Sequence, residues 1–258
     1  MGLARYATGN LMRRLRTKVL PNLGSLLTRT TVRRCGCCDR TSIFLQFGTE
    51  TFSQVCTRCG AGCRYETLGR RLRARGPISD LVVLELDPGS ALSPYLSRAK
   101  THIRSYYRPD AMPGSTREDG AVMQDITRLT YDDNSLDMIV SSDVLEHVPD
   151  IAKAFQETAR ALKPGGVHIF TIPNQPATKQ LAELRDGQVH HLVTPPEYHS
   201  DPLDPQGILA FWHFGPDLQE QFGHTGLEFH RIDVTDSAGR QHFVWEARKP
   251  AGAQSTVA

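Results

Sequence analysis

Residues 136–166 read LDMIVSSDVLEHVPDIAKAFQETARALKPGG, and they contain the clearest structural signal in the chain. Residues 136–141 form a short apolar run, which predicts a buried strand. Residues 150–162 read as a helix that ends at Lys163-Pro-Gly-Gly166, because proline and glycine interrupt a helix. Residues 167–172 are a second apolar run of strand length. A strand, a helix and another strand in this order predict a parallel βαβ unit.

The same alternation continues on both sides of this unit. It predicts an α/β protein with an open, mostly parallel sheet, whose ligands bind at the carboxyl ends of the strands. The other strand-length runs are residues 81–86, 101–107 and 121–124 and a closing pair at 227–234 and 241–247, with a further helix from about Ser93.

The 258-residue chain is 39% hydrophobic and 22% charged, which excludes a disulfide-bonded miniprotein and a disordered chain. Its length suits one domain of about 150 to 200 residues plus a small one. No apolar run approaches the ~18 residues that cross a bilayer. Charge is uneven, because residues 1–78 carry 15 lysines and arginines against three acids. This asymmetry predicts a basic module that either binds an anionic partner or neutralises the acidic remainder of the chain.

Residues 1–34 form a basic N-terminal arm with eight basic residues, no acid and no apolar core of a secretory signal. Such an arm is typical of a mitochondrial transit peptide or of a basic extension on a bacterial protein. Arginine outnumbers lysine 24 to 6 over the whole chain, so the arginines of the arm are weak evidence for targeting. We expect a cytoplasmic protein, and a disordered tail over residues 251–258.

All six cysteines lie within residues 35–63, and such a cluster favours a metal site over disulfides. Four of them have the spacing C-x2-C-x17-C-x2-C, which predicts a structural zinc site with four thiolate ligands. Cys37 and Cys63 remain as spare thiols or substitute ligands, and six free cysteines or a redox pair are the alternative. Residues 35–78 are therefore expected to be a zinc ribbon with a basic connector. The predicted ligands are Cys35, Cys38, Cys56 and Cys59.

The connector carries five arginines and reads as a helix. Such a stretch either holds nucleic acid or is the solvated face of a linking helix. The arginines are Arg64, Arg70, Arg71, Arg73 and Arg75.

Three segments of the larger part carry a family resemblance. They are VLELDPGSALSPYL (83–96), MQDITRLTYDDNSLDMIVSSDVLEHVPD (123–150) and ARALKPGGVHIFTIP (159–173). They resemble class I S-adenosylmethionine-dependent methyltransferases over residues 79–248. The resemblance implies a Rossmann-like sheet of seven strands over residues 79–250, a substrate lid inserted at about 175–215, and S-adenosyl-L-methionine as cofactor. With the cysteines in front, the chain looks like a methyltransferase that carries an N-terminal zinc ribbon.

The resemblance also implies a cofactor loop after the first strand. Glu85 matches the acid that closes this strand near the amino-acid end of the cofactor, and Gly89 matches the glycine where the backbone approaches it. The family loop reads D-x-G-x-G-x-G, whereas this chain has Glu85-Leu-Asp87-Pro-Gly89-Ser-Ala91. Asp87 near the cofactor carboxylate would repel it unless the side chain is rotated away. A methyltransferase fold that has lost its cofactor is therefore an alternative.

The remaining cofactor contacts are implied in the same way. Asp110 matches the acid that accepts from both ribose hydroxyls, a task that suits a carboxylate. Asp125 and Ile126 match the pair at the adenine, where the carboxylate accepts from the exocyclic amine and the apolar side chain covers the ring. Ser142 follows Ser141 at the end of the fourth strand, beside the reactive methyl group.

Asp143, Glu146 and His147 lie at i, i+3 and i+4, so they are expected to share one face of a helix start. Their positions resemble those where ubiquinone-biosynthesis O-methyltransferases hold a divalent metal. The three residues are expected to bind a second divalent metal, or His147 to act as a base. Helix capping and packing are the alternative role.

A second polar cluster lies in the proline-rich segment VHHLVTPPEYHSDP (189–202) of the predicted lid. His191 and His199 are the further candidates for a catalytic base, with His190, Glu197 and Asp201 beside them. Loops are where binding residues concentrate, although a histidine-rich loop exposed to solvent is the plain alternative.

These features favour a small-molecule methyltransferase that acts on the oxygen, or the nitrogen, of a hydroxylated metabolite. A catalytic cysteine of the kind that methylates cytosine carbon is absent after residue 63, and the Asn/Asp-Pro-Pro-aromatic motif of base-amine methyltransferases is missing. One alternative is a methyltransferase of ribosomal or other RNA that binds through the basic ribbon. Another is a binding protein that keeps the fold without catalysis.

Overall fold

The N-terminal part of the structure, a computed structural model, is an antiparallel sheet with cysteines at its turns. Its strands are β1 (Thr31–Arg34), β2 (Thr41–Gln46) and β3 (Gln54–Cys56), in the order β1-β2-β3. β1 lies inside the predicted basic arm, and it pairs with β2 across the turn that carries Cys35 and Cys38. The sheet therefore includes residues ahead of the boundary that the cysteines predict.

The structure describes residues 29–47, 53–87, 89–199, 207–237 and 239–252, together with Gly24. Most of the predicted basic arm, most of the predicted tail, and Asp201 lie outside these residues. None of the helices in the described part of the chain has the length and apolarity that crossing a bilayer requires.

The predicted helix of the connector is present as α1 (Cys63–Ala74). Leu68 and Leu72, one turn apart, are fully buried, as expected for the inner face of an amphipathic helix. A Cβ at Gly69 would lie 2.6 Å from the carbonyl oxygen of Gly36, so the helix touches the backbone of the first cysteine turn. α1 is therefore an integral layer between the ribbon and the larger sheet, and not a loose linker.

Five strands of the larger sheet pair in parallel, as the alternation of strands and helices predicts. The helices among them are α2 (Ser93–Leu96), a single turn, and α3 (Ile151–Ala161). α3 begins where the Asp150 carboxylate accepts a hydrogen bond from the Lys153 amide at 3.0 Å, which is an N-cap. The strands are β4 (Val82–Glu85), β5 (Thr101–Tyr106), β6 (Val122–Met123), β7 (Leu136–Ser142) and β8 (Leu162–Thr171).

The predicted lid region consists of short strands that pair with one another. They are β9 (Lys179–Gln180), β10 (Ala182–Arg185), β11 (Gln188–His191), β12 (Tyr198–His199), β13 (Ile208–Leu209) and β14 (Trp212–His213). β9 pairs with β14, β10 with β11, and β12 with β13, each antiparallel.

The chain then forms α4 (Leu218–Phe222) and the antiparallel pair β15 (Glu228–Thr235) and β16 (Gln241–Arg248). β16 pairs antiparallel with β8, so the sheet order is β15-β16-β8-β7-β4-β5-β6. Phe155 of α3 is fully buried, and its ring centroid lies 4.8 Å from that of Phe229. The architecture is the predicted seven-stranded, mostly parallel, Rossmann-like sheet, with a four-cysteine cluster in front.

The carboxylate of Glu246 on β16 is fully buried and joins the two parts of the structure. Arg71 Nε donates to it at 2.7 Å and Arg75 Nη1 at 3.2 Å, both from α1, and Arg248 Nη2 donates at 2.6 Å. Burial alone would raise the pKa of Glu246, but the hydrogen bonds from Arg71 and Arg248 and the charge of Arg75 outweigh burial and lower it. The carboxylate is therefore ionised at neutral pH and holds α1 against the sheet.

Replacing Glu246 with alanine is expected to lower the free energy of unfolding by about 3–5 kcal/mol, because it leaves partly buried arginines without their counter-charge. Urea unfolding at neutral pH measures the loss. The stability that ionised Glu246 contributes is fully present above the ordinary carboxyl pKa. It is lost as the pH drops through the lowered pKa of the folded state. Glu228→Ala is the control, since its half-exposed carboxylate lies 3.8 Å from His230 and should matter by less than about 0.5 kcal/mol. Equal losses for both variants would contradict the assignment.

Candidate active site

A cavity of about 1180 Å³ opens at the carboxyl ends of the parallel strands. The loop after β4 lines it with Asp87 and Gly89, and the end of β7 lines it with Ser142. α1 contributes Arg64, and the lid contributes His199. Ribbon helix, sheet and lid thus enclose one space at the sheet edge where ligands of α/β proteins bind.

A smaller cavity of about 290 Å³ adjoins the first, and both are lined by Leu86, Tyr106 and His147. Asp125 and Ile126, the pair predicted for adenine, lie together in its wall. The Asp125 carboxylate accepts from the amide and the hydroxyl of Thr127 at 2.8 and 2.7 Å, so a local turn fixes its orientation.

Glu85 lies beneath the cofactor loop, and its side chain is almost fully buried. Its carboxylate accepts from the hydroxyls of Ser90 and Ser93, the latter at 2.7 Å, and contacts His102 Nε2 at 2.8 Å. These contacts tie the loop and α2 to the end of β4. Glu85 is not among the residues that line either cavity.

Asp87 stands in the wall of the larger cavity with its carboxylate already engaged. The hydroxyl of Tyr65, on the first turn of α1, donates to Oδ2. The amide of Gly89 donates to Oδ1 at 3.0 Å. Arg64, the neighbour of Tyr65, forms an ion pair with Asp143 at the end of β7. Two residues of the ribbon helix that the sequence did not single out as site residues thus reach the cavity.

Like Glu85, the predicted site residues Asp110 and His191 line neither cavity. The Asp110 carboxylate is exposed and accepts from Arg108, and this hydrogen bonding lowers the pKa of Asp110 to about 2. His191 lies on the exposed strand β11, opposite Ala182 of β10. The structure does not bring either side chain to the other candidate residues.

The polar group beside the larger cavity contains Glu146, His147 and His199, whose ligand atoms all lie within 4.8 Å of one another. The Glu146 side chain is 1% exposed, and neither of its oxygens has a hydrogen-bond partner. Burial, and secondarily the charge of Asp143, raise the pKa of Glu146 to about 8. An unpartnered carboxylate at this depth is costly unless a proton or a cation accompanies it.

The hydrogen bonds of the two imidazoles define which nitrogen faces Glu146. His147 Nδ1 donates to the carbonyl oxygen of Leu209 at 2.8 Å, and His199 Nε2 donates to Glu197 Oε1 at 3.0 Å. The other nitrogens, His147 Nε2 and His199 Nδ1, lie 4.0 and 3.8 Å from Glu146 Oε1. When both imidazoles are neutral, His147 Nε2 and His199 Nδ1 face the Glu146 carboxylate as lone-pair donors. A divalent cation fits this donor set.

Glu197 and His213 form an outer layer behind His199. Glu197 Oε2 accepts from His213 Nε2 at 2.7 Å while Oε1 accepts from His199. Burial opposes ionisation, but the bonds from the two histidines lower the pKa of Glu197. A carboxylate that holds the ring of a metal-facing histidine is the usual second layer of a metal site.

The expected helix face of Asp143, Glu146 and His147 is not formed. Asp143 has a left-handed backbone (φ 52°), Leu145–His147 is a single 3-10 turn, and α3 begins only at Ile151. Asp143 is also absent from the group of converging ligands, because Arg64 holds its carboxylate. His199, from the lid, takes the third place.

The four predicted cysteine ligands come together. The Sγ atoms of Cys35, Cys38, Cys56 and Cys59 all lie within 4.8 Å of one another, and those of Cys35 and Cys59 are 3.8 Å apart. A tetrahedral site with Zn–S bonds of about 2.3 Å has sulfur atoms about 3.8 Å apart, so the cluster fits zinc. The two other thiols are engaged elsewhere. Cys37 Sγ donates to the carbonyl oxygen of Ala91 at 2.9 Å, and Cys63 Sγ lies 3.3 Å from His242 Nδ1.

Parts of this chain are similar to known proteins. Phosphoethanolamine N-methyltransferase 2 of Caenorhabditis elegans is 43% identical over 42 residues, which span 16% of this chain and 10% of that protein. A solved S-adenosylmethionine-dependent methyltransferase of Mesorhizobium loti is 16% identical and covers 70% of this chain and 97% of its own, with a TM-score of 0.44. Another, from Methanosarcina mazei, is 17% identical over 69% of this chain and 97% of its own, with a TM-score of 0.42.

The sequence model of the methyltransferase domain family matches residues 61–170, which run from α1 to the end of β8. This range contains the cofactor loop, the end of β7 and the turn with Glu146 and His147. The match identifies a methyltransferase domain within this range, and the seven-stranded sheet that contains it has the class I methyltransferase fold.

Proposed function

We propose that the chain transfers the methyl group of S-adenosylmethionine to an oxygen of a small hydroxylated metabolite, with a divalent cation at the acceptor. The observation that carries this proposal is the convergence of Glu146, His147 and His199 beside the larger cavity. Two neutral imidazoles and a carboxylate are an established donor set for a catalytic cation with open positions.

In this proposal the two adjoining cavities would hold the cofactor. Asp125 and Ile126 would contact the adenine, and Gly89 would lie against the amino-acid end. A Cβ at Gly89 meets only Asp87 Oδ1, at 4.0 Å, so open space remains in front of this backbone. When bound, S-adenosylmethionine supplies an electrophilic methyl group on a sulfonium.

The chain's own residues would orient the acceptor and remove its proton. Glu146 supplies the negative charge, and Glu197 fixes the ring of His199 so that Nδ1 faces the group. A divalent cation held there would lower the pKa of the acceptor hydroxyl. Without a cation, His199 Nδ1 would take the proton as a general base while oxygen displaces S-adenosylhomocysteine from the methyl carbon. Removal of divalent cations with a chelator distinguishes the form that needs a cation from the form in which His199 is the general base.

A small acceptor is favoured over RNA because the connector arginines bind groups within the chain. Arg71 and Arg75 contact Glu246, Arg64 contacts Asp143, and Arg70 contacts Glu66. Arg73 donates to the carbonyl oxygens of the first cysteine turn. Phosphate binding by these side chains would have to compete with all of these contacts.

We expect one structural zinc per chain, which elemental analysis of freshly purified, reduced protein measures. Cys38→Ser and Cys59→Ser are expected to lose the zinc, because each removes one of four ligands. Cys63→Ser is the matched control and should keep it, since Cys63 contacts His242 instead. Wild-type protein without zinc, or the same loss in the control, would contradict the site.

Asp125→Ala and Gly89→Val are each expected to weaken the binding of S-adenosylhomocysteine at least about tenfold in titration calorimetry, about 1.4 kcal/mol. The first removes the predicted adenine acceptor, and the second fills the space in front of the loop. Asp233→Ala, an exposed acid on β15, is the control. Asp110→Ala is measured in parallel, and weaker binding would support the ribose role that the sequence predicts. Unchanged affinity in both Asp125→Ala and Gly89→Val would contradict the cofactor site.

A panel of hydroxylated metabolites, with phosphoethanolamine and RNA included, tests the acceptor by transfer of labelled methyl. Activity on the true acceptor is expected to disappear on chelation and to return with added Mg²⁺ or Mn²⁺. Glu146→Gln should lower the rate at least about 100-fold, since it removes the charge that holds the cation. Its affinity for S-adenosylhomocysteine should stay within about threefold, a difference below 1 kcal/mol.

Glu220→Gln on α4 is the matched control for this substitution and should keep full activity. Activity that survives both chelation and Glu146→Gln would contradict the role of the cation. Methylation of RNA alone would contradict the small-molecule acceptor.

A further inference from the structure

The loop between β4 and α2 contains a charge that the cofactor should not tolerate. Asp87 stands where the family loop has its first glycine, and this residue lines the larger cavity. The amino-acid end of S-adenosylmethionine, which this loop is expected to approach, carries a carboxylate of its own. Two carboxylates at close range repel each other, and low dielectric strengthens the repulsion.

Both oxygens of Asp87 accept hydrogen bonds, which fix the orientation of the carboxylate. Gly89 N donates to Oδ1 at 3.0 Å, which closes the loop on itself. Tyr65 donates its hydroxyl to Oδ2 from the first turn of α1. Burial and the neighbouring carboxylate of Asp87 raise the pKa of Tyr65, so the hydroxyl keeps its proton and remains a donor.

Tyr65 can do this because α1 is fixed on both sides. Leu68 and Leu72 are fully buried, and Gly69 packs on the backbone of the first cysteine turn. The same turn reaches the far end of the loop, where Cys37 Sγ donates to the carbonyl oxygen of Ala91 at 2.9 Å. The N-terminal module thus contacts Asp87 and Ala91, the two positions at which this loop lacks a glycine of the family pattern.

We propose that Tyr65 is a positioning residue that makes Asp87 compatible with the cofactor, so that the N-terminal module forms part of the cofactor site. Tyr65 acts through Asp87 and needs no contact with the reacting atoms. This inference rests on the proposed function, because it requires that the chain binds S-adenosylmethionine.

A double-mutant cycle tests the inference with S-adenosylhomocysteine binding as the readout. The four proteins are wild type, Tyr65→Phe, Asp87→Gly and the double variant. Tyr65→Phe keeps the ring, so it should fold and melt like wild type, yet bind about tenfold more weakly because Asp87 is released. In the Asp87→Gly background the same substitution should change the affinity by less than about twofold, since no charge remains to be held.

Tyr131→Phe is the matched control, because it also removes a buried hydroxyl but lies outside both cavities. Its affinity should equal that of wild type. An equal loss from Tyr65→Phe in both backgrounds, or no loss in either, would overturn this inference while the proposed function stands. Folded wild-type protein that binds no S-adenosylhomocysteine would overturn both.

Discussion

The structure depends on the ion pairs that α1 makes with acids of the larger domain. Arg71 and Arg75 reach the fully buried Glu246 of the sheet, and Arg64 reaches Asp143 at the edge of the cavity. Removing Glu246 would strand the charges of partly buried arginines, which costs about 3–5 kcal/mol. The ribbon, the helix and the methyltransferase sheet are therefore energetically one unit. The cofactor loop is built on that unit, because Tyr65 can reach Asp87 only while α1 stays in place.

The sheet and the cysteine cluster could be predicted from the sequence because their signals are local. Apolar runs of strand length, the Pro-Gly-Gly stop and the C-x2-C pairs each lie within a few residues, and the structure confirms the sheet and the cluster. Contacts between distant segments could not be predicted in this way. Nothing near Tyr65 in the sequence indicates that its hydroxyl meets Asp87. The same holds for His199, which takes the place beside Glu146 that the sequence assigned to Asp143.

The group of Glu146, His147 and His199 lies where the lid meets the sheet. Glu146 and His147 belong to the turn after β7, whereas His199 comes from β12 of the lid. Two further hydrogen bonds join the same parts, since Phe211 N donates to the Glu146 carbonyl oxygen at 2.8 Å and His147 donates to the Leu209 carbonyl oxygen. A cation bound to all three side chains would add a bridge across this joint. Acceptor chemistry and the position of the lid are then linked through the same histidines.

The uneven charge of the chain also has a physical explanation in these contacts. A basic module beside an acidic domain could attract an anionic partner or neutralise the acids within the chain. In the described part of the chain, the arginines of α1 contact carboxylates and carbonyl oxygens, and two of the carboxylates, Glu246 and Asp143, belong to the larger domain. This arrangement supports neutralisation within the chain. The methyltransferase sheet separated from residues 29–75 would retain Glu246 in its interior without its two arginines from α1, so the stability of the sheet depends on this helix.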